Sequence, residues 1–108
     1  FGGQGEPLRP GMICSNEPGY YKAGEFGIRI ENLVLVTPLE IEGAEHEVLG
    51  FETLTFAPID RNCIEAALLS PAERDWLNGY HAKVIEVVAP QLDGDALAWL
   101  EQACAPIG

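Results

Sequence analysis

Up to Pro58 the apolar residues alternate with polar ones at the two-residue period of strands, and beyond it they recur at the three- and four-residue steps of helices. The order predicts an α+β chain, strands first. Met12-Ile13-Cys14-Ser15-Asn16 reads as a short strand between the turn signals Pro10-Gly11 and Pro18-Gly19. Ile28 to Val36 is the clearest strand, with Ile28, Ile30, Val34 and Val36 on one face and Arg29, Glu31, Leu33 and Leu35 on the other. Thr37-Pro38 should end it. Leu39 to Gly50 is acidic and reads as an exposed loop or short hairpin. Phe51 to Pro58 reads as a third strand, its threonines and aromatics suited to a pleated surface.

Ser70-Pro71-Ala72-Glu73 is a helix start, with serine as cap, proline at the first helical position and glutamate three residues on. The helix should run to about Ala89, burying a stripe of Trp76, Leu77, Tyr80, Val84, Val87 and Val88, and stop at Pro90. A shorter helix over 94–104 should bury Leu97, Leu100 and Trp99. Both tryptophans are thereby assigned to the core. The change of period divides the chain into a half-sheet, 1–58, and a helical extension, 59–108.

Composition narrows the partners. Six basic against seventeen acidic residues give a net charge of -11, which repels phosphate backbones and anionic lipid, so neither nucleic acid nor a membrane surface is expected. Cys14, Cys63 and Cys104 match no paired disulfide or zinc spacing and read as reduced thiols of a cytoplasmic protein. No apolar run approaches the roughly 18 residues of a membrane helix, and no signal peptide is visible. Phe1-Gly2-Gly3-Gln4-Gly5 reads as the middle of a loop, so a piece of a longer protein is expected.

Two carboxylates then stand out. A carboxylate amid apolar strand residues costs several kcal/mol to desolvate unless a cation or hydrogen-bond donors compensate it, and Glu31 lies between Ile30 and the run 33–36. If the chain folds back between Glu17 and Gly27 as a wide hairpin, Glu17 arrives near Glu31, with Arg29 on the same face. The plainer alternatives are a turn carboxylate before Pro-Gly for Glu17, and for Glu31 an ion pair with Arg29 or a neighbouring strand. His46 reads as an exposed loop residue and His81 as a helix residue, packed or exposed. Cys14 reads as a small buried hydrophobe.

The motifs Pro10-Gly11-Met12, Asn16-Glu17-Pro18-Gly19-Tyr20-Tyr21, Gly27-Ile28-Arg29-Ile30-Glu31-Asn32 and Phe51-Glu52-Thr53-Leu54-Thr55 resemble the carboxyl-terminal part of Xaa-Pro aminopeptidases, which are pita-bread metallopeptidases. The stretches 69–71, 75–81 and 98–107 resemble the helical extension of the three-domain members. The resemblance implies a site of two divalent metals, usually manganese, that activates a hydroxide to cleave before a proline in the second position of a peptide. It implies that Glu17 ligates one metal and shuttles a proton, that Glu31 bridges both, and that Tyr21 and Arg29 orient the ligands. The family's remaining ligands, two aspartates and a histidine, precede the Glu-Pro-Gly motif, and residues 1–16 hold no Asp or His. The expectation is therefore a peptidase parent and a 108-residue chain that is inactive alone, holds no metal tightly and self-associates through exposed strand edges. A prolidase-type dipeptidase and a non-catalytic interaction module are the competing readings.

Overall fold

The computed structural model describes residues 5–108; all but the last residue of the loop expected over 1–5 lies outside the described residues. The chain divides into two compact units, one ending at Thr55 and the other spanning Phe56–Gly108.

In the first unit five strands follow in order: β1 (Ile13–Asn16), β2 (Gly19–Lys22), β3 (Phe26–Arg29), β4 (Asn32–Leu39) and β5 (Val48–Thr53). All pairings are antiparallel, in a sheet of order β1-β4-β5 and a separate β2-β3 hairpin. Val34 and Val36 of the central strand are buried, as the alternation requires, while Leu33 stays 46% exposed.

The expected strand over 28–36 is split. It breaks at Ile30-Glu31 and then runs on through Thr37-Pro38 to Leu39. Proline is tolerated there because β1 pairs with β4 only across 32–35, so Pro38 has β5 on one side and needs no N–H for the other. The third strand starts and stops earlier than its aromatics suggest, because its register is set by Val34↔Thr53 to Leu39↔Val48. Residues 40–47 form the connecting loop, turning at Gly43 with φ of 80°.

The second unit opens with two short 3-10 turns, Arg61–Cys63 and Ala66–Leu68, which the apolar periodicity did not signal. Helix α1 follows at Pro71–Val88, and α2 at Gly94–Ala103. The capping box is complete: Glu73 N–H donates to Ser70 Oγ at 3.2 Å and Ser70 N–H to Glu73 Oε2 at 3.1 Å. Tyr80, Val84, Leu100 and Cys104 form the core, with Phe56, Ile59, Ile85, Val88, Ala89 and Leu92 packed on it.

The tryptophans are not core. Trp76 and Trp99 are 59% and 61% exposed, because the buried stripe of α1 runs Leu77, Tyr80, His81, Val84 and leaves Trp76 beside it, stacked on the Tyr80 ring with centroids 5.5 Å apart. In their place the interior takes His81, fully buried.

Side chains of α1 hold two extended segments by bonds to their backbones. Tyr80 Oη donates to the Ala57 carbonyl at 2.6 Å, and Ile59 N–H donates to His81 Nε2 at 3.0 Å. Asn78 donates from Nδ2 to the Ile107 carbonyl at 2.9 Å and accepts at Oδ1 from Ile107 N–H at 2.8 Å. The Arg61 guanidinium donates to the Ala105 carbonyl.

Candidate metal site

β1 and β4 pair as far as Asn16↔Asn32, and β2 and β3 resume at Gly19↔Arg29. Two residues lie between these pairs on each strand, so one register carries through the gap. Ile30 N–H donates to the Pro18 carbonyl at 3.1 Å inside it. Glu17 and Glu31 occupy the gap, directly across from one another. Ladder pairing on either side therefore aims two carboxylates at one place.

The Glu17 side chain is the strongest influence on the Glu31 carboxyl. The Glu31 carboxyl is raised above its ordinary range, first by that side chain, then by burial, with the Glu17 charge adding and Arg29 opposing. Arg29 Nε lies 3.1 Å from Glu31 Oε2. The ion pair and the convergence of carboxylates, which the sequence left as alternatives, thus occur together. At 52% and 37% side-chain exposure the ion pair adds little stability; its effect is to fix where the Glu31 oxygens point.

Tyr21 lies across a bed of glycine. It pairs with Gly27, and a Cβ placed on Gly27 would fall 2.7 Å from Tyr21 Cδ1, one on Gly19 2.7 Å from the phenol oxygen. The ring thus crosses the hairpin toward Gly19, two residues from Glu17. The sequence carried the signal as glycines at 19 and 27 flanking a tyrosine, but only the pairing shows that both face its ring. Gly24, with φ of 75°, and the Lys22–Glu25 ion pair at 2.6 Å close the turn.

Two carboxylates placed across from one another form a hard oxygen donor pair, and a hard divalent cation suits it. The donor set is partial: among the described residues no group of three or more His, Cys, Asp or Glu could hold a metal. His46 is exposed on the loop after β4, and His81 is buried in the second unit. Cys14 is half-buried and pairs with Val34. Asp60 caps the first 3-10 turn by accepting from Asn62 N–H at 2.9 Å.

Comparison with known proteins places this geometry in context. Residues 1–38 match the metallopeptidase family M24 and residues 47–107 the C-terminal region of peptidase M24. A probable Xaa-Pro aminopeptidase P of Laccaria bicolor is 46% identical over 105 residues, 94% of this chain and 16% of that protein. Aminopeptidase P2 of Arabidopsis thaliana is 51% identical over 106 residues, 94% of this chain and 15% of that one. The solved X-prolyl aminopeptidase of Caenorhabditis elegans, described as a cytosolic enzyme with a di-nuclear active site, superposes with a TM-score of 0.81 at 36% identity, covering 93% of this chain and 17% of its own. The strands-then-helices architecture corresponds to the C-terminal part of that pita-bread fold.

Proposed function

The chain belongs to the C-terminal region of the M24 metallopeptidases, and from that premise we propose that the protein carrying it is a dinuclear metal-dependent Xaa-Pro aminopeptidase. Its substrate is a peptide with proline in the second position. The observation that carries the reading is the meeting of Glu17 and Glu31 in the register gap, with Arg29 on Glu31.

Residues 1–58 serve as a half-sheet of the catalytic domain and 59–108 as its helical extension. Two divalent ions, manganese among those that hard oxygen donors suit, would supply Lewis-acid polarisation of the carbonyl to be cleaved. Glu17 and Glu31 would hold them, and Glu17 would take and return a proton at a carboxylate oxygen. Arg29 keeps Glu31 turned to the shared position, and the Tyr21 phenol is held beside the pair. The likeness to a cytosolic enzyme supports a cytoplasmic location; among the described residues no helix is long and apolar enough to cross a membrane. The relatives carry the aminopeptidase name, which sets the prolidase-type and interaction-module readings aside.

The test is Glu31→Gln in the natural full-length protein. The substitution should abolish Xaa-Pro hydrolysis and manganese binding, while Arg29→Ala lowers activity by about 10–100-fold. Undiminished hydrolysis in Glu31→Gln overturns the assignment. The 108-residue chain alone should not cleave an Xaa-Pro peptide with added manganese; cleavage would show that two ligands suffice.

A further inference from the structure

His81 is the one polar side chain buried among the described residues, with no exposed surface, and the site proposed above makes no use of it. Its Nε2 accepts the Ile59 N–H at 3.0 Å, so that nitrogen carries a lone pair and the proton of the neutral ring sits on Nδ1. Nδ1 is itself buried and has no hydrogen-bond partner among the described residues. The ring therefore fits only when neutral. A proton added at Nε2 would face the Ile59 N–H, donor against donor, and neither nitrogen of the resulting cation would have an acceptor.

The surroundings oppose the cation further. Arg61, in the 3-10 turn two residues past Ile59, is the charge that acts on His81, and its guanidinium is tied to the Ala105 carbonyl. The other titratable groups of this unit's interior are Tyr80 on α1, with its ring centroid 5.7 Å from that of His81, and Cys104 at the end of α2, whose thiol pKa burial raises. Asp60 is exposed and its carboxylate accepts from Asn62 N–H. Burial first and Arg61 second lower the His81 pKa from the ordinary 6.5.

We propose that His81 is a proton-operated latch: neutral, it fastens the backbone at Ile59 to α1, and on protonation it lets Ile59 go while Tyr80 keeps Ala57. The only escape for a buried imidazolium is to break the bond it already makes and reach water. Protonation and release of Ile59 are therefore one event, with Ala57 as the pivot. The latch stays shut at neutral pH and opens as the pH falls below histidine's ordinary range.

The measurement is ring-nitrogen NMR of His81 together with amide hydrogen exchange of Ile59, on the natural full-length chain. At neutral pH the Nδ1–H tautomer should be seen. As His81 takes up its proton, the protection factor of the Ile59 amide, corrected for intrinsic exchange, should fall by up to about tenfold per pH unit, the slope of one linked proton. Amides of Val34 and Val36 should not follow. The Nε2–H tautomer at neutral pH, or Ile59 protection that survives protonation of His81, overturns the proposal. His81→Gln supplies a non-titrating acceptor, so it should remove the pH dependence at Ile59; the same dependence in that variant would also overturn the latch. Should the variant not fold, the two measurements on the unsubstituted chain still decide.

Discussion

Single residues in the first unit do their work by occupying, or leaving empty, small amounts of space. Gly27 is required because the Tyr21 ring takes the volume that a Cβ would fill. Gly27→Ala should displace Tyr21 at a cost of about 1 kcal/mol, modest because the ring is 63% exposed and can swing outward. The check is a double-mutant cycle by urea denaturation: with Tyr21→Ala already in place, Gly27→Ala should cost much less, and equal costs in the two backgrounds would refute the packing argument. Glu31 stood out in the sequence because a carboxylate among apolar strand residues needs a partner, with Arg29 on its face by alternation and Glu17 brought near by the fold-back before Gly27. Tyr21 stood out only by family likeness, since neither periodicity nor charge marks a tyrosine whose ring lies on Gly27 across the hairpin and Gly19 of its own strand.

At the scale of elements, the strongest local signals survived and the tertiary ones did not. The serine-proline-glutamate start of α1 is satisfied within four residues, so its prediction needed no partner elsewhere. By contrast, Tyr80 reads as part of an apolar stripe and Asn78 and His81 carry no signal, yet all three spend their polar atoms on the backbones of Ala57, Ile107 and Ile59. Those partners lie more than twenty residues away, out of reach of any periodicity. Asn78→Ala removes both bonds to Ile107 and should cost about 1–2 kcal/mol. Chemical denaturation would measure the loss, and amide exchange should find it concentrated at 105–107. A uniform loss of protection along α1 would contradict the assignment of Asn78 to the tail.

For the molecule as a whole, two predictions follow from what is buried and what is not. His81 is neutral when folded, with its pKa held below the unfolded value, so the unfolded chain binds the extra proton in the interval between the two. The stability it supports is full above about pH 6.5 and is lost progressively as pH falls toward the folded pKa. Urea midpoints should decline over that interval in the unsubstituted chain and decline less in His81→Gln; parallel curves would exclude His81 as the cause. The first unit leaves Ile13, Tyr20, Phe26 and Phe51 between 57% and 63% exposed, on strands that include both edges of the sheet. Isolated, the 108-residue chain should self-associate through these surfaces, and light scattering showing a monomer across a wide concentration range would count against it. The sequence by itself determined the α+β order, the cap of α1, the acidic charge and the pair of glutamates, because period, capping chemistry and composition are local properties. Only the tertiary structure decided that Glu17 and Glu31 share one register gap, that Pro38 lies within a strand, that the tryptophans face outward and that a histidine fills the core. Each of those depends on which distant backbone supplies a hydrogen bond or takes up a volume, and no local pattern encodes that choice.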